Sequence, residues 1–532
     1  MQSFSEEQLN KLDKDILVQM IMNLQDQIGS LDQKMQLMLE QMADLKRHRF
    51  GVSSEKSNDY EQYAFVEVNG NIIYFNEAEA VVDASIEEAD TPAEKKHSQK
   101  EKGKKAAMLA ALPKADPVFY TLSNEELLNT FGADGYNRLP DEVYTRYKFT
   151  PSKLEVEEHH VAVYSGKKDD NIIKAKHPAY LLRGSMVSPS LAAAFLNAKY
   201  TNGMPYYRQE KDFERYGISI TRKDMAEWTI KLADRYLAIL YDYLHDEMYN
   251  YHVLQADETP LLVNKDGRDA GSKSYMWVYR TGKMYTYKPI VLYDYQRTRK
   301  ADHPREFLKN FTGICVTDGY QVYHTIEGER EDLTIAGCWA HARRRYDEAL
   351  KALPKEKQKG CLAKEALSQI QMMYRIENTF SDLSPEERKK RRQLSLKPLV
   401  EAYFAWVREN MPRVLPKSKT YKGFEYSLNQ EKYLKEFLND GEVPMDNNST
   451  EQTIRGFCIG KKNWVMIDTI SGAKSSAIVY SIIETAKANN LKPYEYLNHL
   501  LTEIPNHMDD TDRSFLKYLL PWSENLPKEC YK

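Results

Sequence analysis

Residues 254–260 read Leu-Gln-Ala-Asp-Glu-Thr-Pro, an apolar run that ends on an acid, Asp257. The same pattern returns at 314–320, Ile-Cys-Val-Thr-Asp-Gly-Tyr, where Asp318 ends a second apolar, β-branched run. Short runs of this kind, bounded by turn-forming residues, are typical of buried strands. Each stretch therefore predicts a strand that carries a carboxylate at its end.

A third acid, Glu451, lies in 447–455, Asn-Asn-Ser-Thr-Glu-Gln-Thr-Ile-Arg, which predicts the start of a helix with Ser449 available as its cap. Two strand-borne carboxylates completed by a helix-borne one can hold a pair of divalent metals, and such a pair catalyses phosphoryl transfer on nucleic acid. The pattern thus indicates a DNA-cutting enzyme. Its predicted catalytic residues and metal ligands are Asp257, Asp318 and Glu451, around two Mg²⁺ (or Mn²⁺) ions.

Each acid also has an ordinary structural explanation. An aspartate beside Thr-Pro or Gly-Tyr is often only a turn former. Glu451 stands four residues before Arg455, so the two can form an exposed i,i+4 salt bridge. The spacing by itself leaves these alternatives open.

The surrounding sequence predicts an α/β catalytic core with a ribonuclease-H-like mixed sheet. Strands are predicted at 252–256, 275–279, 289–293, 313–317 and 333–339, and helices at 303–310 and 340–350. Three sequential strands followed by helix-linked ones are the order of that core. We assign 251–353 to its first part, 354–440 to a charged, aromatic helical insertion, and 441–532 to its completion, with a long helical segment at 475–504.

Residues 1–50 predict a leucine-zipper-like coiled coil that mediates oligomerisation, with an intramolecular helical hairpin as the alternative. The apolar residues that repeat in steps of four and three are Leu17, Ile21, Leu24, Ile28, Leu31, Met35, Met38, Met42 and Leu45. Residues 51–115 predict a hairpin at 66–75, centred on Asn69-Gly70, followed by a flexible linker.

Between the linker and the core, two regions are predicted. Residues 116–188 form a small β-rich module, with its clearest strands at 144–149 and 154–164. Residues 189–250 are helical, with one helix over 205–216 and another beginning at Thr221, where Asp224 completes a capping box. This arrangement is typical of a helix-turn-helix DNA-binding region, although an αα-corner without DNA contact has the same pattern.

The composition requires any DNA contact to be local. Lys and Arg total 75 against 78 Asp and Glu, a net charge of -3, so the chain lacks the basic excess of a simple nucleic-acid binder. Basic runs at 95–105, 343–345 and 388–392 are either local patches that contact DNA or solvated faces. The five cysteines include no CxxC pair, and no apolar run approaches the roughly 20 residues of a membrane span, which predicts a cytoplasmic, nucleoid-associated protein without membrane contact.

Several polar and aromatic residues are candidates for DNA contact. They are Arg208, Thr221, Arg222, Lys223, His341, Arg343, Arg344, Arg455, Lys461, Lys462 and Trp464. Trp464 is as compatible with core packing as with stacking on a DNA end. Cys338 and His341 have a CxxH spacing found in zinc sites, but no second ligand pair lies nearby in the sequence. We therefore favour a buried cysteine and a histidine that is hydrogen-bonded or touches phosphate.

Five segments, in order, resemble the transposases of the insertion-sequence-66 family: 256–260, 277–279, 317–320, 338–344 and 447–455. Two further stretches, 205–210 and 50–56, also resemble that family, so the likeness extends over nearly the whole chain. The resemblance implies that Asp257, Asp318 and Glu451 are a DDE triad, that the heptads are a leucine-zipper region, and that the last helices cap the core.

One departure from the family concerns zinc. The family usually carries cysteine pairs that resemble a zinc-binding module before the core, whereas this chain has no cysteine before Cys315. We therefore predict no structural zinc, and we expect the module at 116–188 to be held by its own core.

The predicted function is that of a DDE transposase that cleaves at the ends of its insertion sequence and joins the 3'-hydroxyl ends to target DNA. Its predicted partners are the terminal inverted repeats, target DNA, further copies of the chain in a homodimer or higher oligomer, and accessory proteins of the same element where the reaction needs them. The alternatives are a ribonuclease-H-like, structure-specific nuclease without strand transfer, and a DNA-binding scaffold whose core has decayed.

Overall fold

The computed structural model describes most of the chain from residue 153 onward. The described residues are 19, 22, 65–68, 71–74, 123–125, 129, 153–165, 172–175, 180–269, 271–354 and 357–532. The predicted coiled coil at 1–50, the linker, the basic run at 95–105 and the predicted strand at 144–149 lie almost wholly outside them. The chain divides into two units, 58–160 and the remainder.

Two short antiparallel pairs are described before the core. Strand β1 (Phe65–Val68) pairs with β2 (Asn71–Tyr74), which confirms the hairpin predicted around Asn69-Gly70. Strand β3 (Val163–Ser165) pairs with β4 (Ile172–Lys174). The prediction of a strand over 154–164 was wrong for 154–162, which form no ladder. This stretch is solvent-exposed and strongly charged, so its alternation has no apolar face to bury.

The region at 189–250 is helical, as predicted. Its helices are α1 (Pro189–Tyr200), α2 (Tyr206–Arg215), α3 (Arg222–Leu232) and α4 (Ala238–Met248), the last two joined through a π-helical turn. Helix α3 begins with the predicted capping box, because Thr221 Oγ1 accepts the Asp224 N–H and the Asp224 carboxylate accepts the Thr221 N–H.

A six-stranded mixed sheet forms the centre of the larger unit. Its strands are β5 (Val253–Lys265), β6 (Lys273–Thr281), β7 (Val291–Gln296), β8 (Gly313–Val316), β9 (Leu333–Ala336) and β10 (Ile467–Thr469). The order is β7-β6-β5-β8-β9, antiparallel among the first three and parallel from β5 to β9, while β10 pairs with the far end of β5. All five predicted strands are therefore present.

Strand β5 is much longer than predicted, at 13 residues. Its antiparallel pairing with β6 continues to Leu262, whereas β8 pairs only with residues 253–255. Pro260 is tolerated inside this strand because neither β8 nor β10 pairs with it on that side. The long pairing with β6 thus overrides the Thr-Pro stop signal in the sequence.

Helices cover both faces of the sheet. Those that follow the early strands are α5 (Asp302–Phe307), α6 (Gln321–Gly328) and α7 (Trp339–Lys351). The helical insertion predicted at 354–440 contains α8 (Leu362–Asn378), α9 (Pro385–Arg391), α10 (Lys397–Asn410), α11 (Lys419–Asn429) and α12 (Glu431–Lys435). The last helices are α13 (Asn448–Trp464), α14 (Ile470–Ala488), α15 (Pro493–Glu503) and α16 (Leu516–Leu519).

Alternation along β5 divides the core in two. Leu254 and Ala256 pack in a cluster with α1, α4, α14 and α15, whereas Val253, together with Val316 of β8, packs with the insertion helices. The helical segment predicted at 475–504 consists of two helices, α14 and α15, because Pro493 begins a new one. The insertion and the C-terminal helices thus hold the sheet from opposite faces.

The basic run at 388–392 is partly structural. Arg388 is 2% and Arg392 is 1% exposed. Arg392 donates to the carbonyls of Phe437, Asp440 and Val443 and pairs with Glu377. These two buried guanidinium groups hold segments of the insertion together. The run at 388–392 is therefore neither wholly a solvated face nor wholly a DNA-binding patch.

Hydroxyl groups of α14 satisfy the outer edge of β7. Thr485 Oγ1 accepts the Val291 N–H at 3.0 Å and donates to the Val291 carbonyl at 2.8 Å. One helical turn earlier, Ser481 Oγ accepts the Tyr293 N–H at 2.7 Å. The spacing of four residues on the helix matches the two-residue repeat of the strand, so the helix replaces a missing neighbouring strand.

Replacing Thr485 with valine is expected to destabilise the protein by about 1–3 kcal/mol, because a buried N–H and a buried carbonyl of β7 lose their partner. The free energy of unfolding in urea measures this loss. Thr502→Val is the matched control, since the Thr502 hydroxyl is exposed and bonds only within its own helix. Equal effects of the two substitutions would contradict the edge-capping role.

Candidate active site

Asp257 lies within β5 rather than at its end, which corrects the sequence-based position. It shares a face of the strand with Gln255 and Thr259, and it stands opposite Val278 of β6. Its Oδ1 accepts the Glu258 N–H at 2.8 Å. A carboxylate in the middle of a paired strand is held more firmly than one on a loop.

Asp318 occupies the matching position beside β8. Gln255 of β5 is in register with Val316 of β8, so the two aspartates each follow that pair by two residues. Asp318 Oδ1 accepts the Tyr320 N–H at 2.9 Å, and its carbonyl accepts the Tyr426 hydroxyl at 2.9 Å. The turn after β8 is therefore fixed both by its own carboxylate and by a tyrosine of the insertion.

The glycine of this turn is required by its backbone and its surroundings. Gly319 has a φ of +88°, and a Cβ there would lie 2.9 Å from Gln430 Oε1. A larger residue would have to adopt a rare backbone conformation and push aside the side chains of Gln430 and Tyr426. The Asp-Gly pair thus brings α11 and its following turn against Asp318.

Asn447 fastens the start of α13, the helix that carries Glu451, beside Asp257. Asn447 is fully buried, and its Nδ2 donates to the carbonyl of Ala256 at 2.8 Å. Its Oδ1 accepts Gln255 Nε2 at 2.9 Å. One side chain therefore fastens the start of α13 to the residues directly before Asp257.

The cap of α13 differs from the prediction. Asn447, rather than Ser449, precedes the helix, and Ser449 lies in its first turn. The Ser449 hydroxyl donates to Gln255 Oε1 at 2.8 Å. It therefore bonds to a side chain of β5 and does not cap the helix. Farther along, Lys461 Nζ donates to the Pro260 carbonyl at 2.7 Å. Helix α13 consequently runs along β5 and turns Glu451 inward, where its side chain is only 21% exposed.

The negative charges of Asp318 and Glu451 both act on the pKa of Asp257. Burial raises the pKa of Asp257 well above its usual value, and the negative charges of Glu258, Asp318 and Glu451 raise it further. Burial also raises the pKa of Glu451, but the contact and charge of His341, with the charges of Arg344 and Arg455, outweigh burial and lower it. All three of the charges that neighbour Asp257 are negative, so each disfavours ionisation of Asp257.

This donor set fits hard divalent cations. Asp257, Asp318 and Glu451 offer carboxylate oxygens, which are the ligands that Mg²⁺ and Mn²⁺ prefer. A cation among them would offset the repulsion that raises the pKa of Asp257.

A family model described as "Transposase IS66 family" matches residues 184–475, more than half of the chain. The chain belongs to this family. Two further models match: "IS66 C-terminal element" at 481–522 and "Transposase C of IS166 homeodomain" at 37–116. The resemblance drawn from the sequence motifs is thereby confirmed. The third match also overlaps the stretch that the sequence predicts to be a hairpin and linker.

Curated relatives of this IS66 family transposase include two proteins of Sinorhizobium fredii (strain NBRC 101917 / NGR234). Uncharacterized protein y4qI is 29% identical over 388 residues, which cover 71% of this chain and 70% of the relative. Uncharacterized protein y4jD is 28% identical over 364 residues, which cover 67% and 70%. Among the described residues, no helix of the transposase is long and apolar enough to cross a membrane.

A buried ion pair that the sequence reasoning missed lies behind the aspartates. Glu258 follows Asp257 and therefore points to the opposite face of β5, where its side chain is 1% exposed and accepts Arg299 Nε at 2.7 Å. Arg299 lies 3.7 Å above the ring of Tyr320, whose N–H holds Asp318. The adjacent Asp257 and Glu258 were the available signal for this ion pair, because neighbouring residues of a strand point to opposite faces.

The pair is expected to make the stability of the transposase depend on pH. Burial, reinforced by Asp318, raises the pKa of Glu258 from 4.5 to about 7 despite Arg299. Between these values the folded chain keeps a proton that the unfolded chain releases, so stability is full below about pH 4.5 and falls as pH rises to about 7. A shift of this size corresponds to at most about 3 kcal/mol.

Glu258→Gln removes this titration. Thermal midpoints measured in EDTA from pH 5 to pH 8 should therefore fall more steeply for the unaltered protein than for the variant. Glu329→Gln is the control, because Glu329 forms an exposed pair with Arg305. Parallel pH profiles for the unaltered protein and Glu258→Gln would contradict the expectation.

The residues predicted to contact DNA fall into two groups and a third set, Lys461, Lys462 and Trp464, at the end of α13. His341, Arg344 and Arg455 surround Glu451: His341 Nε2 lies 3.1 Å from Glu451 Oε1, and both arginines act on the pKa of Glu451. Exposed Arg343 follows His341 on α7. The second group lies on α2 and α3 and consists of Arg208, Thr221, Arg222 and Lys223. DNA contact by either group stays a prediction.

Several of these residues have structural partners. Thr221 is engaged in the capping box, and Lys223 lies 3.7 Å from Glu227. Trp464 packs against Tyr480, with ring centroids 6.3 Å apart, which favours the core alternative. Lys462 is exposed beside it.

Proposed function

We propose that the chain is a DDE transposase that cleaves the ends of its own insertion sequence and joins them to target DNA. The observation that supports the proposal is the placement of Asp257 within β5, with Asp318 at the matching position beside β8 and with the start of α13, which carries Glu451, fastened to the residues before Asp257. We interpret the strand order β7-β6-β5-β8-β9 as a ribonuclease-H-like core, with its acids on the first strand, directly after the fourth strand and on a later helix.

In this proposal Asp257, Asp318 and Glu451 hold two Mg²⁺ (or Mn²⁺) ions, which would acidify the attacking hydroxyl and neutralise charge on the phosphate. The residues of the chain supply positioning. Asn447 and the Asp318 turn keep the carboxylates in place without DNA. Water first attacks phosphorus and the 3' oxygen leaves as a hydroxyl, which then attacks a phosphodiester of the target and displaces its 3' oxygen.

The positive charges near Glu451 support a path for the DNA backbone. Arg344 and Arg455 both lower the pKa of Glu451, and Arg343 is exposed on the same helix as Arg344. Together with the region similar to a homeodomain at 37–116, they give the proposed contacts to the terminal inverted repeats and the target. We place the reaction in the cytoplasm, at the nucleoid, with a homodimer or higher oligomer bringing the two ends together.

The deciding experiment supplies the full chain with labelled duplexes that carry the element's terminal inverted repeats, an unrelated supercoiled plasmid and Mg²⁺. A transposase gives 3'-hydroxyl ends and a labelled plasmid. Cleavage without a labelled plasmid would instead indicate a structure-specific nuclease, and binding without cleavage would indicate a decayed scaffold. A donor with scrambled ends is the control.

A further inference from the structure

The CxxH motif acquires a third metal-binding side chain in the folded protein. Cys338 precedes α7, His341 lies in its first turn, and Glu451 comes from α13. One ligand atom of each, the thiol sulfur, an imidazole nitrogen and a carboxylate oxygen, lies within 4.8 Å of the other two. The sequence spacing supplied only two ligands, and the third arrives from 110 positions farther along, 451 minus 341.

The three side chains stand on well-fixed elements. Cys338 is fully buried, and its sulfur accepts the Asn447 N–H at 3.1 Å. The start of α7 is held by Trp339, whose backbone N–H donates to Met445 and whose ring N–H donates to Leu434. The side chains of His341 and Glu451 are 15% and 21% exposed. The cluster therefore stands on elements that are already fixed by buried contacts.

We propose that Cys338, His341 and Glu451 form a site for a thiophilic divalent cation, Zn²⁺, which overlaps the site of the hard cations. Sulfur, imidazole and carboxylate together are ligands of zinc and leave a fourth position for water, whereas Mg²⁺ prefers oxygen alone. When the ion binds, the Cys338 S–H bond breaks, its proton goes to solvent, and the sulfur binds the metal.

Glu451 is a ligand of both proposed metal sites, so zinc binding affects the phosphoryl-transfer site. Glu451 directed to zinc by Cys338 and His341 is no longer available to Asp257 and Asp318, so zinc acts as an inhibitor of the phosphoryl-transfer site. This consequence rests on the proposed function, whereas zinc binding itself does not. The two parts are therefore tested separately.

Binding is tested on the full chain with Co²⁺ as a spectroscopic probe, because thiolate bound to Co²⁺ gives a near-ultraviolet charge-transfer band. We expect one Co²⁺ per chain with this band, displaced by Zn²⁺. Cys338→Ser should abolish the band, and His341→Gln should weaken affinity by about 10- to 100-fold. Cys458→Ser is the matched control, because Cys458 lies on α13 outside the cluster and should leave the band unchanged.

A band that persists in folded Cys338→Ser, or that disappears in Cys458→Ser, would overturn the site. The absence of a band in the unaltered chain would do the same. Thermal midpoints establish that each variant is folded, and His341→Gln preserves the test if Cys338→Ser does not fold.

Inhibition is tested by titrating Zn²⁺ into the Mg²⁺-dependent cleavage reaction, with each protein normalised to its own zinc-free rate. The zinc concentration for half inhibition should rise about tenfold or more in Cys338→Ser. Equal inhibition of the two proteins would overturn the coupling through Glu451. If no cleavage occurs in any protein while the Co²⁺ band is present, the proposed function fails and the zinc site stands.

Discussion

Asp257→Asn and Asp318→Asn should each lower the rates of cleavage and joining by about a thousandfold or more while DNA binding persists. Either change removes one anionic oxygen ligand from the proposed metal site and leaves the strands intact. In a metal-free buffer, Asp318→Asn should also lower the pKa of Asp257, since it removes one of the negative charges that raise it. Single-turnover cleavage of labelled ends measures the rates, and electrophoretic mobility measures binding.

Asp294→Asn is the matched control for both variants. Asp294 is also a half-buried aspartate of the sheet, with a pKa raised by desolvation to about 6, but it lies on β7 and stands opposite Trp277. It should retain cleavage activity. A folded Asp257→Asn or Asp318→Asn protein with full activity would show that the residue is structural, and the metal site would then have to be assigned to other ligands.

Asn447→Ala should produce the second largest effect, on stability and on activity together. Truncation leaves the Ala256 carbonyl and the Gln255 amide without the partners they have in the folded protein, at a cost of about 2–4 kcal/mol. It also releases the start of α13, so Glu451 moves relative to Asp257, and cleavage should slow by about a hundredfold. Urea unfolding and single-turnover cleavage, at a temperature where the variant is folded, measure the two effects.

Asn448→Ala is the control for this experiment. Asn448 is the next residue of the chain, but it is exposed, and it is its backbone N–H that donates to the Asp446 carboxylate. Its truncation should change both quantities little. If Asn447→Ala behaves as Asn448→Ala does, Asn447 does not position the helix and the account of Glu451 given above is wrong.

The sequence predicted the elements of the core better than their extents. Strands β5 to β9 stand where alternation and turn residues placed them, and Thr221 and Asp224 form the predicted capping box. These features depend on residues a few positions apart, which the sequence displays directly. The length of β5 was missed because pairing with β6 extends it past a local stop signal.

The surroundings of the candidate site could not be predicted in the same way. Glu258 was overlooked although it adjoins Asp257, because its importance comes from burial against Arg299 on the other face of the strand. The run at 388–392 looks uniformly basic, yet the fold buries Arg388 and Arg392 among backbone carbonyls. Burial of a charge depends on which groups surround it, and those groups are distant in the chain.

The sequence by itself determined the order of the core strands and helices, which acids are available for metal binding, and that Cys338 and His341 have a CxxH spacing. Only the tertiary structure decided that Asn447 fastens α13 beside Asp257, that the charge of Glu451 acts on Asp257, and that Glu451 lies beside the cysteine–histidine pair. The reason is physical: local patterns follow from steric and hydrogen-bonding preferences of neighbouring residues, whereas a shared ligand requires long-range contacts that only the packed sheet and helices provide.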